Sequence, residues 1–145
     1  MYTLSTSIEI AADARAVWNI LKDFEKYGEW NPFIRSIEGE KTINSRVKVF
    51  LQPSATKGMR FRPKLLEFSE ESRIRWIGRL WIPRLFDGEH SFSITKNPDG
   101  MVKFTQEETF GGILVPLLRK GLEKDTKRGF EEMNRALKAR SEKEH

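Results

Sequence analysis

Apolar residues near the end of the chain recur at helical spacing. Between residues 112 and 140, the apolar positions are mostly three, four or seven residues apart, which is the period of one face of an α-helix. At a rise of about 1.5 Å per residue, this helix would be about 43 Å long. A single hairpin could not cover so long a stripe, so we expect a broad sheet opposite it. The stripe consists of Ile113, Leu114, Leu117, Leu118, Leu122, Phe130, Met133 and Leu137.

Most of the remaining chain alternates between apolar and polar residues, as half-buried β-strands do. Residues 2–10 alternate in this way, with Thr6 as the exception. Six further extended runs cover residues 33–40, 46–52, 58–68, 73–80, 86–96 and 101–110. The connections between these runs are shorter than the crossover that parallel neighbours need, so we expect antiparallel pairing. Pro63 indicates that its strand is bulged or lies near a sheet edge.

Two short helices are expected between the first strand and the other six. Asp13 and Asp23 are residue types that accept hydrogen bonds from the first backbone N–H groups of a helix. No repeat or linker interrupts the chain, and its length suits one hydrophobic core. We therefore predict a single α+β domain over residues 1–145, in which a seven-stranded antiparallel sheet wraps around the long C-terminal helix.

The composition excludes several classes of protein. The chain contains no cysteine, so disulfides and thiolate chemistry are excluded. No stretch approaches the roughly 18 consecutive apolar residues of a membrane-spanning helix, and no signal-peptide pattern begins the chain, so the expected compartment is the cytoplasm. The net charge of +5 could attract nucleic acid or an anionic membrane, but lysines and acids alternate along the last helix as they do on a solvated face.

Short motifs add to this element order. They are SIEIAA at residues 7–12, AVW at 16–18, DFEKY at 23–27, WNP at 30–32, and the glycine pair at 111–112 that runs into the long helix. Over nearly the whole chain, the order and these motifs resemble the START-like (SRPBCC) superfamily, which has the helix-grip fold of the Bet v 1 type. The resemblance implies a curved seven-stranded sheet that grips the last helix and encloses a cavity. It implies no particular activity, because the superfamily includes lipid carriers, hormone receptors, polyketide cyclases and aromatases, and stress-response proteins.

The alternation also predicts which side chains face the concave side of the sheet. Most are bulky and apolar and could fill the interior, but Gly78 removes a side chain from this face and makes room. His90, Gln106 and Glu108 share the face, and burying any of them unpaired would cost on the order of a few kcal/mol. They must therefore contact one another, water or a ligand. The predicted ligand-binding residues are Phe61, Trp76, Gly78, Leu80, His90, Phe92, Phe104, Gln106, Glu108, Leu118 and Leu122.

Two connections are expected at one end of such a meander, and we interpret this end as the mouth of the pocket. One covers residues 81–85 and is unusually apolar for a connection, and the other covers residues 111–116. Their apolar side chains would form a lid, or a lip that touches a membrane transiently. The alternative is that they fold back onto the helix start and complete the core. The predicted mouth residues are Trp81, Ile82, Leu85, Ile113 and Leu114.

His90 and Glu108 are the candidates for acid–base catalysis, because imidazole and carboxylate groups transfer protons. Ordinary structural roles are equally open: His90 could be a hydrogen-bonded core histidine, and Glu108 could pair with a lysine or arginine. A zinc site built on these two residues lacks a third ligand. The chain has no nucleophile motif, phosphate-binding glycine loop or dinucleotide fingerprint. We therefore predict neither a metal nor a cofactor.

The sequence leaves three hypotheses for the function. The leading hypothesis is a non-catalytic binder or carrier of a hydrophobic small molecule, such as a lipid, an isoprenoid or a polyketide-like compound. The second is an enzyme of the polyketide cyclase or aromatase type that uses His90 or Glu108 as acid or base. The third is an RNA- or protein-interaction module that uses its basic outer face, although we do not expect nucleic acid there because few aromatic residues interleave the arginines. The basic outer face comprises Arg60, Arg62, Arg73, Arg75 and Arg79.

Overall fold

A computed structural model of the chain describes residues 1–52, 58–80 and 86–144, with only the backbone described for Leu80 and Glu144. The strands are β1 (Tyr2–Ile10), β2 (Ile34–Glu38), β3 (Lys48–Leu51), β4 (Met59–Phe61), β5 (Lys64–Ser69), β6 (Arg73–Leu80), β7 (Phe86–Lys96) and β8 (Val102–Gly111). The helices are α1 (Ala14–Leu21), α2 (Tyr27–Trp30), α3 (Val115–Gly121) and α4 (Lys127–Glu144). A 3-10 turn (Phe24–Lys26) precedes α2, and a π-helical turn (Leu122–Thr126) joins α3 to α4.

All described strand pairs are antiparallel, as predicted, and they form two sheets that an antiparallel bridge between Arg46 and Lys64 joins. One sheet has the order β1-β8-β7-β6-β5, and the other has the order β2-β3-β4. Backbone hydrogen bonds join them where the chain enters β3 and β5: Val47 N–H donates to the Pro63 carbonyl at 3.0 Å, and Leu65 N–H donates to the Ser45 carbonyl at 2.9 Å. The sheets therefore act as one curved layer, and the predicted α+β helix-grip fold is confirmed.

The described strands number eight rather than the expected seven, because the predicted run at residues 58–68 is two strands. β4 ends at Phe61 and β5 begins at Lys64, so the break falls at Arg62 and Pro63. Proline has no N–H group and cannot donate a hydrogen bond to a neighbouring strand. The Pro63 carbonyl accepts a hydrogen bond from the Val47 N–H. The sequence signal at Pro63 therefore marked the boundary between the two sheets.

The two predicted helix starts differ in how they are capped. The side chain of Asp13 accepts a hydrogen bond from the Ala16 N–H at 2.8 Å and so caps α1. Asp23 precedes the 3-10 turn and makes no capping hydrogen bond with its side chain. Of the described helices, none is both long enough and apolar enough to cross a membrane.

The C-terminal helical segment packs on the sheet with only part of its length. In α4, Phe130, Met133 and Leu137 are at most 1% exposed, and α4 lies against β1 and α1. In α3, Val115 is the only buried residue, and Leu117 is 80% exposed. The apolar stripe is therefore continuous in sequence, but its fully buried residues all lie in α4, and Leu122 of the π-helical turn is half-buried against the core.

A glycine allows α4 to approach Phe33 closely. A Cβ on Gly129 would lie 2.3 Å from the Phe33 ring, which is itself buried, whereas a Cβ on Gly121 would meet nothing within 4 Å. We expect Gly129→Ala to lower the free energy of unfolding by about 1–3 kcal/mol through overpacking. Gly121→Ala should raise it by about 0.5–1 kcal/mol through helix propensity. Urea unfolding of both variants measures these changes. A gain in stability in both would mean that the Phe33 ring can move away from residue 129.

Candidate ligand-binding cavity

A cavity of about 100 Å³ lies between the concave face of the sheet and the π-helical turn. Glu108 and Thr126 are its polar lining residues, and the others are apolar or glycine. The volume accommodates one small chemical group or a few water molecules and is below the roughly 300 Å³ of an ordinary ligand pocket. The lining residues are Phe33, Leu51, Met59, Phe61, Gly78, Phe86, Gly88, Glu108, Phe110, Leu122 and Thr126.

Two facing glycines are part of the cavity lining. The β6–β7 register pairs Gly78 with Gly88. A Cβ on Gly78 would lie 3.1 Å from the Phe61 ring, and a Cβ on Gly88 would lie 2.3 Å from Glu108 Oε2. The absence of both side chains therefore leaves room for the Phe61 ring and for the Glu108 carboxylate. Gly88 was missed by the sequence reasoning, although it has the same inward parity as His90.

Beside the cavity, three polar side chains form hydrogen bonds on the concave face. His90 and Glu108 are opposite each other in the β7–β8 register, and His90 Nδ1 lies 2.9 Å from Glu108 Oε1. On the other side of the ring, His90 Nε2 lies 3.0 Å from Gln106 Oε1. His90 and Gln106 are 4% and 0% exposed, whereas the Glu108 side chain is 20% exposed. Glu108 thus connects the buried chain of hydrogen bonds to the cavity.

The same hydrogen-bond network continues into α4 and β1. Gln106 Nε2 donates to the Phe130 backbone carbonyl at 3.1 Å and to Asn134 Oδ1 at 2.8 Å. Asn134 Nδ2 donates in turn to the Thr6 hydroxyl oxygen at 3.0 Å. Sequence reasoning missed Asn134 because only apolar positions were counted along the helical stripe. Thr6 did give a signal, since it was the exception in the alternation of the first strand.

The structure brings only some of the predicted ligand-binding residues to the cavity. Phe61, Gly78, Glu108 and Leu122 line it. The side chain of Leu80 lies outside the described part of the chain. Five other predicted ligand-binding residues lie behind the residues that line the cavity. Phe130 of α4 separates them from the cavity, because its ring packs edge-on against the His90 ring at a centroid distance of 4.9 Å. These five are Trp76, His90, Phe92, Phe104 and Gln106.

Residues of α3 and of the connection before it do not line the described cavity. Leu118 is 37% exposed and Ile113 is 75% exposed, and Leu114 is half-buried. Leu118 precedes the lining residue Leu122 by four residues, about one helical turn, but it is exposed, whereas Leu122 is half-buried against the core. The other predicted mouth residues, Trp81, Ile82 and Leu85, lie outside the described residues. Contact of this end with a membrane stays a prediction.

A second concavity differs in character. This groove of about 400 Å³ lies beside α1 and is lined mainly by charged groups, including Asp13, Arg15, Asp23, Lys26 and Arg140. Ligand pockets are predominantly apolar with a few placed polar groups, so the smaller cavity fits that description better. Within the described residues, no group of three His, Asp or Glu side chains is arranged to hold a metal ion.

Acidic neighbours neutralise part of the basic outer face. Arg75 Nη1 lies 3.1 Å from a Glu89 carboxylate oxygen, and Arg75 Nε lies 3.3 Å from Glu67. The Ser69 hydroxyl, which donates to Glu67 at 2.8 Å, lowers the pKa of the Glu67 carboxyl, and Arg75 contributes to the same shift. The Glu67 carboxylate therefore stays ionised at neutral pH and offsets part of the arginine charge.

Solved structures with the same fold come from several bacteria. A START superfamily protein from Mycobacterium smegmatis is 20% identical, with a TM-score of 0.76 and 100% coverage of both chains. TTHA0849 from Thermus thermophilus is 18% identical, with a TM-score of 0.76 and 97% coverage of both chains. The di-domain ARO/CYC StfQ from the steffimycin biosynthetic pathway is 14% identical, with a TM-score of 0.77 over 98% of this chain and 51% of StfQ. These similarities confirm the START-like fold.

The family comparison covers almost the entire sequence. No curated protein matches the chain. The model of the family described as "Polyketide cyclase / dehydrase and lipid transport" matches residues 1–142, which agrees with the cavity and with the START-like fold of the solved structures. The chain therefore belongs to the polyketide cyclase / dehydrase and lipid transport family.

Proposed function

We propose that this protein binds a hydrophobic small molecule, such as a lipid, an isoprenoid or a polyketide-like compound, in the cavity between the sheet and the C-terminal helical segment. The observation that carries the proposal is the cavity lining, in which apolar side chains and two glycines surround the Glu108 carboxylate. Apolar burial supplies the affinity in such a pocket, and a few polar groups orient the ligand. The family description, which names lipid transport and polyketide chemistry, supports the same class of ligand.

We expect a ligand larger than the cavity to enter at the π-helical turn. The helical wall of the cavity is the π-helical turn, which contributes Leu122 and Thr126 and contains no buried residue. π-Helical turns occur frequently at functional sites, and segments with little buried surface move at the lowest cost. We expect the cavity to grow by displacement of this turn, while α4 stays packed on the sheet.

Filling the cavity tests the proposal. Leu122→Trp places an indole where the smaller Leu122 side chain now lines the space. Leu117→Trp is the matched control, because Leu117 lies on the neighbouring α3 and is 80% exposed. We expect native mass spectrometry of the wild type and of Leu117→Trp, each purified from the host, to detect a bound apolar compound. Leu122→Trp should lose that compound and should bind an added hydrophobe about tenfold more weakly or worse.

Two results would contradict this function. Leu122→Trp could retain the same bound compound as the control, which would place the ligand elsewhere on the protein. Alternatively, neither the wild type nor the control could carry or take up any apolar compound, which would remove the basis for a binding function.

A polyketide cyclase or aromatase type of reaction is the second candidate, and the His90–Glu108 contact of 2.9 Å at the cavity wall favours it. In that reaction Glu108 would exchange a proton with the ligand, because it lines the cavity and His90 lies behind it. Glu108→Gln separates the two functions. Loss of turnover with ligand binding retained would favour the enzyme, whereas a carrier shows no turnover in either protein.

A further inference from the structure

The hydrogen bonds of Gln106 determine which nitrogen of His90 carries a proton. The carbonyl of Phe130 can only accept, so the Gln106 atom that lies 3.1 Å from it is the amide nitrogen. The same nitrogen donates to Asn134. The Gln106 oxygen must therefore face His90 Nε2, which lies 3.0 Å away. Because that oxygen can only accept, His90 Nε2 must carry a hydrogen.

This arrangement limits what the other side of the ring can do. His90 Nδ1 and Glu108 Oε1 lie 2.9 Å apart, and two lone pairs at that distance would repel each other, so one proton lies between them. Either the proton is on Nδ1, which makes an imidazolium beside a carboxylate, or it is on Oε1, which makes a neutral imidazole beside a carboxylic acid. In both placements Glu108 Oε2 carries no hydrogen and is solely an acceptor.

Glu108 Oε2 is also the carboxylate oxygen on the cavity side. It lies beside Gly88, which lines the cavity, and a Cβ at that position would be 2.3 Å from it. Across residues 1–52, 58–80 and 86–144, no side chain donates a hydrogen bond to this oxygen. The cavity therefore presents an acceptor without a described donor, surrounded by apolar groups.

We infer that the ligand of this cavity is a neutral hydrophobic compound that donates a hydrogen bond, through an alcohol, phenol or N–H group, to Glu108 Oε2. The inference rests on the proposed binding function and narrows it. A ligand carboxylate would place a second acceptor against Glu108 Oε2 in both proton placements, and a like charge as well where Glu108 is ionised, so fatty-acid anions are selected against. An ether or ketone would leave Oε2 buried without a donor, which is costly.

Three single-ring probes test the inference, because they differ only in the group that reaches Glu108. They are 4-propylphenol, 4-propyltoluene and 4-propylbenzoate, and isothermal titration calorimetry measures the Kd of each. The ratio of the 4-propyltoluene Kd to the 4-propylphenol Kd measures the preference of a protein for the phenol. Because each probe has the same hydration free energy in both titrations, comparing this ratio between the wild type and Glu108→Met cancels the difference in hydration between the probes. We expect the wild-type preference to exceed that of Glu108→Met about tenfold or more. 4-Propylbenzoate should bind the wild type most weakly of the three.

A second variant guards against misfolding of Glu108→Met. In Glu108→Gln, the amide nitrogen can donate to His90 Nδ1, and the amide oxygen then takes the place of Oε2. This variant should keep a preference for the phenol that is smaller than the wild-type value and larger than that of Glu108→Met. A long-range ¹H–¹⁵N spectrum of the wild type should also show His90 protonated at Nε2.

The outcomes separate this inference from the proposed function. If 4-propyltoluene binds in the cavity and the phenol has no advantage in either the wild type or Glu108→Gln, the donor requirement is wrong and the binding function stands. If the benzoate binds tightest, the inference is likewise overturned. If no probe binds the wild type, both the inference and the function on which it rests fail.

Discussion

Replacing Gln106 with leucine is expected to lower the free energy of unfolding by roughly 3–6 kcal/mol. The Gln106 side chain is fully buried, and its amide serves three partners, namely His90 Nε2, the Phe130 carbonyl and Asn134 Oδ1. Leucine has a similar size but no polar atoms, so each of the three buried partners would lose the hydrogen bond that it makes with Gln106. Each such loss costs about 1–3 kcal/mol, and the apolar gain of the leucine offsets only part of the sum.

Glu107→Leu is the matched control, because residue 107 is the next one on β8 and is exposed on the opposite face. Its stability should change by no more than about 0.5 kcal/mol. Urea unfolding of the two variants measures the difference, with an unchanged dependence on urea concentration indicating that the same surface is exposed. A loss below about 1 kcal/mol in Gln106→Leu would mean that the network around His90 contributes little to the fold.

The positions of these groups could be predicted from the sequence only in part. Period-two alternation along β7 and β8 was enough to place His90, Gln106 and Glu108 on one face, because side chains of a strand alternate strictly between faces. Helical periodicity likewise predicted the buried stripe that contains Phe130 and Met133. Both patterns are local, and each depends on the geometry of a single element.

The rest of the site depends on how separate elements meet, and local patterns do not contain that information. Asn134 is the partner of Gln106 on α4. It follows Met133 and is 3% exposed, but it is polar and therefore does not belong to the apolar stripe. Leu118 belongs to the apolar stripe by spacing and yet is 37% exposed. Periodicity predicts that a helix face is apolar, but it does not predict which element packs against that face.

The network and the cavity have different consequences for function. The Gln106 amide bonds to His90 on β7 and to Phe130 and Asn134 on α4, and Asn134 bonds in turn to Thr6 on β1, so this network holds the base of the site in one arrangement. At the other end, Glu108 leaves one oxygen at a cavity bordered by two glycines and the π-helical turn. For the proposed binding function, a rigid base with an adaptable rim would let hydrophobic ligands of different length bind while one polar group stays in a constant position.

Removing the ring of Phe130 is expected to lower the free energy of unfolding by about 3–5 kcal/mol, the usual range for a buried phenylalanine replaced by alanine. The side chain is 1% exposed, and its ring packs edge-on against His90 at 4.9 Å and Phe33 at 5.7 Å between centroids. Phe130→Ala keeps the backbone carbonyl that accepts from Gln106. The loss therefore reports the packing of α4 on the sheet, separately from the hydrogen-bond network.

The same variant should also change which ligands fit. The ring of Phe130 separates the cavity-lining Phe33 from His90, so its removal opens space next to the cavity and should favour probes with a second ring over single-ring probes. Leu117→Ala is the control, because that side chain is 80% exposed, and both its stability and its ligand preference should match the wild type. Phe130→Ala with a loss under about 1.5 kcal/mol and an unaltered ligand preference would show that the helix does not form this wall of the site.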